Sequence, residues 1–389
     1  MKKSSRVLSV CLAAVMVACS FSACGKSSGT SSDAKTLKIG GIGPLTGDAA
    51  TYGVAVQNGA QLALKEINDA GGVNGMKLAL NFQDDQNDAE KSVNAYNTLK
   101  DWGMQLLMGT VTSTPCKAVA AEAFSDNMFL LTPSGSAVDC LKHKNAFRVC
   151  FSDPNQGVAS AEYIAKNKLA TKIAVIYNSS DVYSSGIYQK FASESKTLGL
   201  DIVSAQAFTA DSKTDFSVQI QKAKSAGAEL VFLPIYYTEA SLILKQANSM
   251  SYTPKFFGCD GLDGILAVSN FNIKLAENVM LLTPFAADSK DAKTASFVAA
   301  FKKAYKNETP NQFAADGYDA IYTIKAALEN AKVSDTTTSA STICTLLEKS
   351  MTKITVKGVT GTMTWAANGE PSKTPKAVKI INGQYKAME

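Results

Sequence analysis

The chain reads as an α/β protein of two lobes, each a doubly wound parallel sheet. Three observations predict this. Short apolar runs such as Gln105–Met108 and Met128–Leu131 alternate with helical stretches, as strands covered on both faces do. The alternation restarts after Ser152-Asp153-Pro154, which reads as a passage out of a first lobe. A length of 389 residues also exceeds one ordinary core and suits two.

In order, Leu37–Gly43 is the first strand, ended by Pro44–Asp48. A helix from about Tyr52 follows, with Ala55, Gly59, Leu62, Ala63, Glu66 and Ile67 at helical spacing and Asp69–Gly72 as its stop. Leu78–Phe82 is a strand ending at Asp84-Asp85, and Ala89–Leu99 a helix. The strand Gln105–Met108 runs into the polar loop Gly109–Pro115, a helix covers Ala118–Ser125, and the strand Met128–Leu131 runs into Thr132–Ser136. After Phe147–Phe151 come helices at Gln156–Lys168, Ser184–Leu198, Phe216–Ala226 and Glu239–Met250. Between and beyond them lie strands at Lys172–Tyr177, Asp201–Ala207, Glu229–Pro234, Phe256–Gly258 and Val279–Leu282. Thr294–Lys306 and Asp319–Glu329 are helical, and Gly361–Trp365 with Val378–Ile381 and Tyr385 forms a terminal hairpin.

The amino terminus is an address rather than fold. Lys2, Lys3 and Arg6 precede an apolar run from Val7 to Ala18 and the small-residue site Ala23-Cys24-Gly25, the pattern of a secretory signal over residues 1–23. Removing it takes three cations and no acid, so a net charge of +5 becomes +2. That balance, with no basic stripe, argues against a nucleic-acid partner. Of eight cysteines, Cys11, Cys19 and Cys24 fall in or beside the signal, leaving Cys116, Cys140, Cys150, Cys259 and Cys344. Cys140 and Cys150 either close a short disulfide loop or stay free, and no spacing supports a metal site. The single histidine, His143, sits in a Lys-rich turn and reads as a solvated loop residue.

Open α/β sheets hold ligands at the carboxyl ends of their strands. There the loops after Met108 and Leu131 offer Ser, Thr and Gly, donors suited to holding an anion without reacting with it. Capping of the helices that follow is the competing role for Ser113 and Ser136. Gly41, Gly43 and Gly47 invite a dinucleotide reading, but Pro44 intrudes and the third glycine is one position late. Neither a nucleophile elbow nor a Ser-His-acid triad is present, so the chain is not read as an enzyme and no cofactor is expected.

Ile39–Thr46, Tyr52-Gly53, the run Ile67-Asn68 to Gly71-Gly72-Val73 and Gly75, Asp84-Asp85, Leu131–Ser134, Phe147-Arg148 and Asp215-Phe216 resemble, in that order, the bacterial branched-chain amino acid-binding proteins. The resemblance runs from about Lys38 to about Trp365. It implies the type I periplasmic-binding fold: two lobes joined by three crossovers, closing on a ligand. Residues 36–153 with 285–362 would form one lobe, and 154–284 with 363–389 the other. Ser113 and Ser136 would hold a ligand α-carboxylate, while the backbone carbonyl of Ser134 and the carboxylate of Asp260 would meet its α-ammonium. Tyr52 and Phe313 from one lobe and Tyr183 and Tyr236 from the other would wall the pocket. Ala23-Cys24-Gly25 resembles a lipobox, implying lipidation of Cys24 and a polar tether over 24–35. The function implied is an extracytoplasmic, lipid-anchored, monomeric receptor that passes Leu, Ile or Val to an ABC permease. A sensory or surface lipoprotein of the same fold, for another amino acid or an amide, is the alternative.

Overall fold

The computed structural model describes residues 35–388. The expectations for residues 1–34, the signal and Cys24 among them, lie outside the described residues. The first lobe is built from β1 (Thr36–Gly43), α1 (Ala50–Asp69), β2 (Lys77–Asp84), α2 (Ala89–Trp102), β3 (Leu106–Gly109), α3 (Ser113–Ser125), β4 (Leu130–Thr132) and β5 (Ala146–Arg148). Its sheet runs β2-β1-β3-β4-β5, parallel throughout. Every residue of β3, β4 and β5 is buried, as a sheet covered by helices on both faces requires.

The second lobe contains α4 (Asp153–Lys166), β6 (Lys172–Asn178), α5 (Val182–Thr197), β7 (Asp201–Phe208), α6 (Ser217–Ser225), β8 (Leu230–Leu233), α7 (Tyr237–Ser249), β9 (Lys255–Gly258) and β10 (Met280–Thr283). The chain then returns to the first lobe through α8 (Ala292–Ala304), α9 (Gln312–Asn330), α10 (Ala340–Met351) and the short hairpin β11 (Val356–Lys357) and β12 (Thr362–Met363). It ends with β13 (Lys376–Ile381) and β14 (Gln384–Ala387), which complete the second sheet in the order β14-β13-β10-β9-β8-β6-β7. That sheet is parallel except at β13 and β14, an antiparallel edge of the kind many doubly wound sheets carry.

Two expectations, on the terminal hairpin and on a Cys140–Cys150 disulfide, need correction. The terminal hairpin is not Gly361–Trp365 against Val378–Ile381; β12 pairs with β11, and β13 pairs with β14. Asn382 and Gly383, both at positive φ, form the two-residue turn that makes β13 and β14 neighbours. Beyond residue 363 the chain still touches the first lobe. Trp365 Nε1 still donates to Arg148 O in the first lobe, and Lys373 Nζ lies 3.5 Å from Asp316. Cys140 and Cys150 are both free. The Cys140 thiol faces Ser113 O at 3.7 Å and neighbours Cys116, whereas Cys150 lies towards Asp316 and Lys373. Thiol labelling of denatured, unreduced protein should therefore modify all five body cysteines; a linked Cys140–Cys150 peptide in the mass spectrum would contradict this.

Two helices go beyond the sequence reading. α9 begins at Gln312, seven residues before Asp319, with the Asn311 side chain capping it by accepting from Ala314 N. Its Gly317 serves packing: a Cβ there would meet Val56 O of α1 at 2.3 Å, so glycine lets the two helix backbones touch. α10 has no counterpart in the sequence reading, although Ser339 caps it and Ile343, Leu347 and Met351 mark one buried face.

Candidate functional site

Ser113 is the first residue of α3, placed at the carboxyl end of β3, and the loop 133–137 leaves the carboxyl end of β4 beside it. The two loops are knitted together. Ser113 Oγ accepts from the amides of Ser136 and Ala137, each at 3.1 Å, and Ser136 Oγ lies 3.5 Å away. A hydroxyl oxygen has two acceptor positions and one proton. With both acceptor positions taken by amides, the Ser113 proton is the part left to give.

The loop is held from behind. Thr132 Oγ1 donates to Thr110 O and accepts from Gly135 N, and Ser134 Oγ donates to Val111 O at 2.6 Å. Arg148, fully buried at the end of β5, reaches two carbonyls of the same loop: Nη1 donates to Gly135 O at 3.0 Å and Nη2 to Ala137 O at 3.1 Å. Nη2 also meets Glu370 Oε1 at 3.1 Å. The guanidinium thus fixes the loop by its carbonyls, leaving the Ser136 and Ala137 amides for Ser113.

The second lobe supplies the other wall. Asp260 opens the turn after β9, and Tyr183 stands in the first turn of α5. Tyr183 OH donates to Asp260 Oδ1 at 2.7 Å and accepts from Gly261 N at 2.9 Å, while Asp260 N donates to Gln156 Oε1. Burial pushes the Asp260 carboxyl up to about 6, against the hydrogen bonds from Tyr183 and Gln156 that favour its ionised form. From the first lobe, Tyr52 OH donates to Gly261 O and accepts from Tyr237 N. The Tyr52 ring packs on Phe313 with centroids 4.3 Å apart and edge-on to Tyr236 at 5.3 Å; Tyr236 in turn stacks on Tyr183 at 5.1 Å.

All eight residues named as ligand contacts, Tyr52, Ser113, Ser134, Ser136, Tyr183, Tyr236, Asp260 and Phe313, line one cavity between the lobes. Val111, Thr112 and Gly261 line it too and were not anticipated. Serine hydroxyls line it on one side, a buried carboxylate on the other, and aromatic rings enclose it. The chemistry fits a molecule with a negative end, a positive end and an apolar remainder.

Outside the cavity the lobes also touch directly. Lys213 pairs with Asp48 at 2.6 Å, Thr238 Oγ1 donates to Asp48 O, Thr51 N donates to Tyr237 OH, and Thr114 Oγ1 donates to Asp181 Oδ1.

A family model described as a periplasmic binding protein matches residues 36–384. The chain belongs to that family. It is 30% identical over 303 residues to Leu/Ile/Val-binding protein homolog 3 of Brucella melitensis, a match covering 77% of this chain and 80% of the relative. The leucine-, isoleucine-, valine-, threonine- and alanine-binding protein of Pseudomonas aeruginosa is also 30% identical, over 340 residues, 86% of this chain and 87% of that one. Among solved structures, the branched-chain amino acid transporter substrate-binding protein LivJ of Streptococcus pneumoniae, in complex with isoleucine, superposes with a TM-score of 0.82 at 28% identity, covering 91% of this chain and 98% of that one. The two-lobed architecture is the type I periplasmic-binding fold.

Membership in that family leaves the glycines of β1 with a packing role rather than a dinucleotide. A Cβ on Gly41 would strike the Phe82 ring, and one on Gly43 the Val111 side chain. His143 stacks on Phe124 at 4.3 Å, away from the cavity. A larger cavity of about 490 Å³ is lined by Asp263, Leu266, Phe285, Asn311 and Tyr385 among others. There Asp263 Oδ2 accepts from Gln312 N, and the Tyr385 hydroxyl accepts from Gly264 N. It lacks the pairing of hydroxyl loop and opposed carboxylate that marks the site between the lobes.

Proposed function

We propose that the protein is the extracytoplasmic substrate-binding component of an ABC importer, capturing an α-amino acid with a branched apolar side chain, Leu, Ile or Val, and handing it to the permease. The observation that carries this reading is the opposition of the Ser113–Ser136 loop to Asp260 across one aromatic-walled cavity. A buried zwitterion is costly unless both charges are met. Ser113 and Ser136 suit the carboxylate. Asp260 and the backbone carbonyl of Ser134 suit the ammonium, and Tyr52, Phe313 and Tyr236 suit the side chain. The names of the relatives support an amino acid ligand and a transporter partner. Because the two charge-binding walls belong to different lobes, a ligand that bridges them favours the closed arrangement by its differential contacts. The lipid anchor at Cys24 would keep a monomeric receptor at the outer face of the membrane.

Calorimetric titration of ligand-stripped protein, lacking residues 1–23, against the common amino acids tests this. Saturable binding of Leu, Ile or Val supports it, and no binding across the panel removes it. Ser113→Ala should weaken binding about tenfold to a hundredfold in the same assay. It deletes a carboxylate donor and leaves two loop amides without their acceptor. Near wild-type affinity would place the carboxylate elsewhere.

A further inference from the structure

The cavity of about 490 Å³ beside the crossover that leaves β10 falls in the size range of small-molecule sites. Thr51 and Asn311 of the first lobe, Asp263 and Tyr385 of the second and Phe285 of the crossover all contribute to its wall. It backs onto the cavity between the lobes without sharing a residue with it. Thr51 adjoins Tyr52, Asp263 lies three residues after Asp260, and Asn311 lies two before Phe313. Asp263 is only 5% exposed. Its Oδ2 accepts from Gln312 N at 2.8 Å, whereas its Oδ1 has no hydrogen-bond partner. Burial pushes this carboxyl up to about 6, so at pH 7.5 it is ionised. The neighbouring Tyr385 hydroxyl favours that charge but makes no hydrogen bond to Oδ1; it accepts from Gly264 N and points to Leu262 O at 3.5 Å. The remaining charges of the wall cancel: Lys386 faces Asp288 at 4.0 Å, and Lys302 is matched in sign by Glu308.

We propose that this cavity is a second ligand site, taking a small organic cation: a primary ammonium that meets Asp263, on a short aliphatic stem lying along Leu266, Phe285 and Val378. A buried carboxylate with one oxygen unpaired carries a desolvation cost that an ammonium removes, and charge-assisted hydrogen bonds are the strong ones. An anion would instead sit against a charge of its own sign. A metal ion is the poorer occupant, because among the described residues no group of three or more His, Cys, Asp or Glu is placed to hold one. The apolar part of the wall adds burial of the stem to the charge pairing. The inference does not depend on what the cavity between the lobes holds.

The test is calorimetric titration of the ligand-stripped protein at pH 7.5 with isopentylamine, which has the ammonium and an apolar stem but no carboxylate for the Ser113–Ser136 loop. Wild type should bind it saturably. Asp263→Asn, whose amide oxygen can still accept from Gln312 N, should weaken binding roughly tenfold to a hundredfold. Ala287→Phe puts a ring into the cavity from the crossover and leaves the carboxylate in place. It should weaken binding as much, so that a folding defect in one variant does not decide the matter. Asp260→Asn should change binding little. Binding lost in Asp260→Asn and kept in Asp263→Asn puts the amine in the other cavity and overturns the inference. No saturable binding to wild type at millimolar amine overturns it as well.

Discussion

Asp260→Asn is expected to lower amino acid affinity by about a hundredfold or more and to abolish most of its dependence on pH below neutrality. Losing one partner of a buried charge pair costs roughly 3–5 kcal/mol, and 1.4 kcal/mol is a factor of ten in affinity. The carboxyl of Asp260 is pushed up to about 6 by burial. Above that value it is ionised and can pair with an ammonium; below it the group is neutral and the ammonium loses its partner. Wild-type affinity should therefore hold from pH 7 upward and fall by up to roughly tenfold per unit below pH 6, a slope the amide variant lacks. Titration calorimetry at pH 5, 6 and 7.5 reads both effects, and a wild-type affinity flat across that range would sink the assignment.

The same substitution should make the ligand-free protein more stable at pH 7. Asp260 binds its proton more tightly folded than unfolded. Its contribution to stability is thus complete below about pH 4 and is lost as pH rises through about 6, a penalty on the order of 2–3 kcal/mol at neutrality. The amide carries no such penalty, and its carbonyl still accepts from Tyr183. Thermal melts of the two proteins should diverge at pH 7 and converge towards pH 4.

The second large effect is expected at Arg148. Its guanidinium is fully buried and bridges Gly135 O, Ala137 O and Glu370. Arg148→Met keeps most of the volume but leaves two loop carbonyls and one carboxylate without their donor. A destabilisation of roughly 3–5 kcal/mol should follow, read as a shifted urea midpoint. Arg148→Lys should not rescue it, because a single ammonium cannot reproduce the planar fork that spans both carbonyls. Binding should weaken in whatever fraction remains folded, since the Ser136 and Ala137 amides are positioned through that loop. A variant of wild-type stability would show that the fork contributes only contacts.

Much of the architecture was legible because parallel strands are buried on both faces and stand out as apolar runs. Gln105–Met108 and Met128–Leu131 foreshadow β3 and β4, and the loops after them are where the cavity lies. The start of α9 was not legible, because Asp316-Gly317 looks like a break until α1 is seen against it. Asn382-Gly383 is a strong local hairpin signal, and it outweighs the longer-range pairing of Gly361–Trp365 with Val378–Ile381. Ser113 and Ser136 follow from the position of their loops at the carboxyl ends of two strands, whereas the other six pocket residues rest on family resemblance. Thr112 escaped because a threonine before a helix reads locally as a cap, and only the folded chain reveals that it caps nothing.

The contacts that join the lobes without any ligand, Lys213 with Asp48, Thr238 with Asp48 O and Tyr237 with Thr51, bear on affinity from outside the pocket. Under the cleft closure proposed above, each would lower the free energy of the shut arrangement, and the apparent dissociation constant scales inversely with the fraction of molecules already competent to bind. Retention of the ligand can then be tuned at the rim of the cleft while its choice of ligand is left untouched. The exposed Lys213–Asp48 pair is screened by salt, so this tuning varies with the ionic strength of the surroundings.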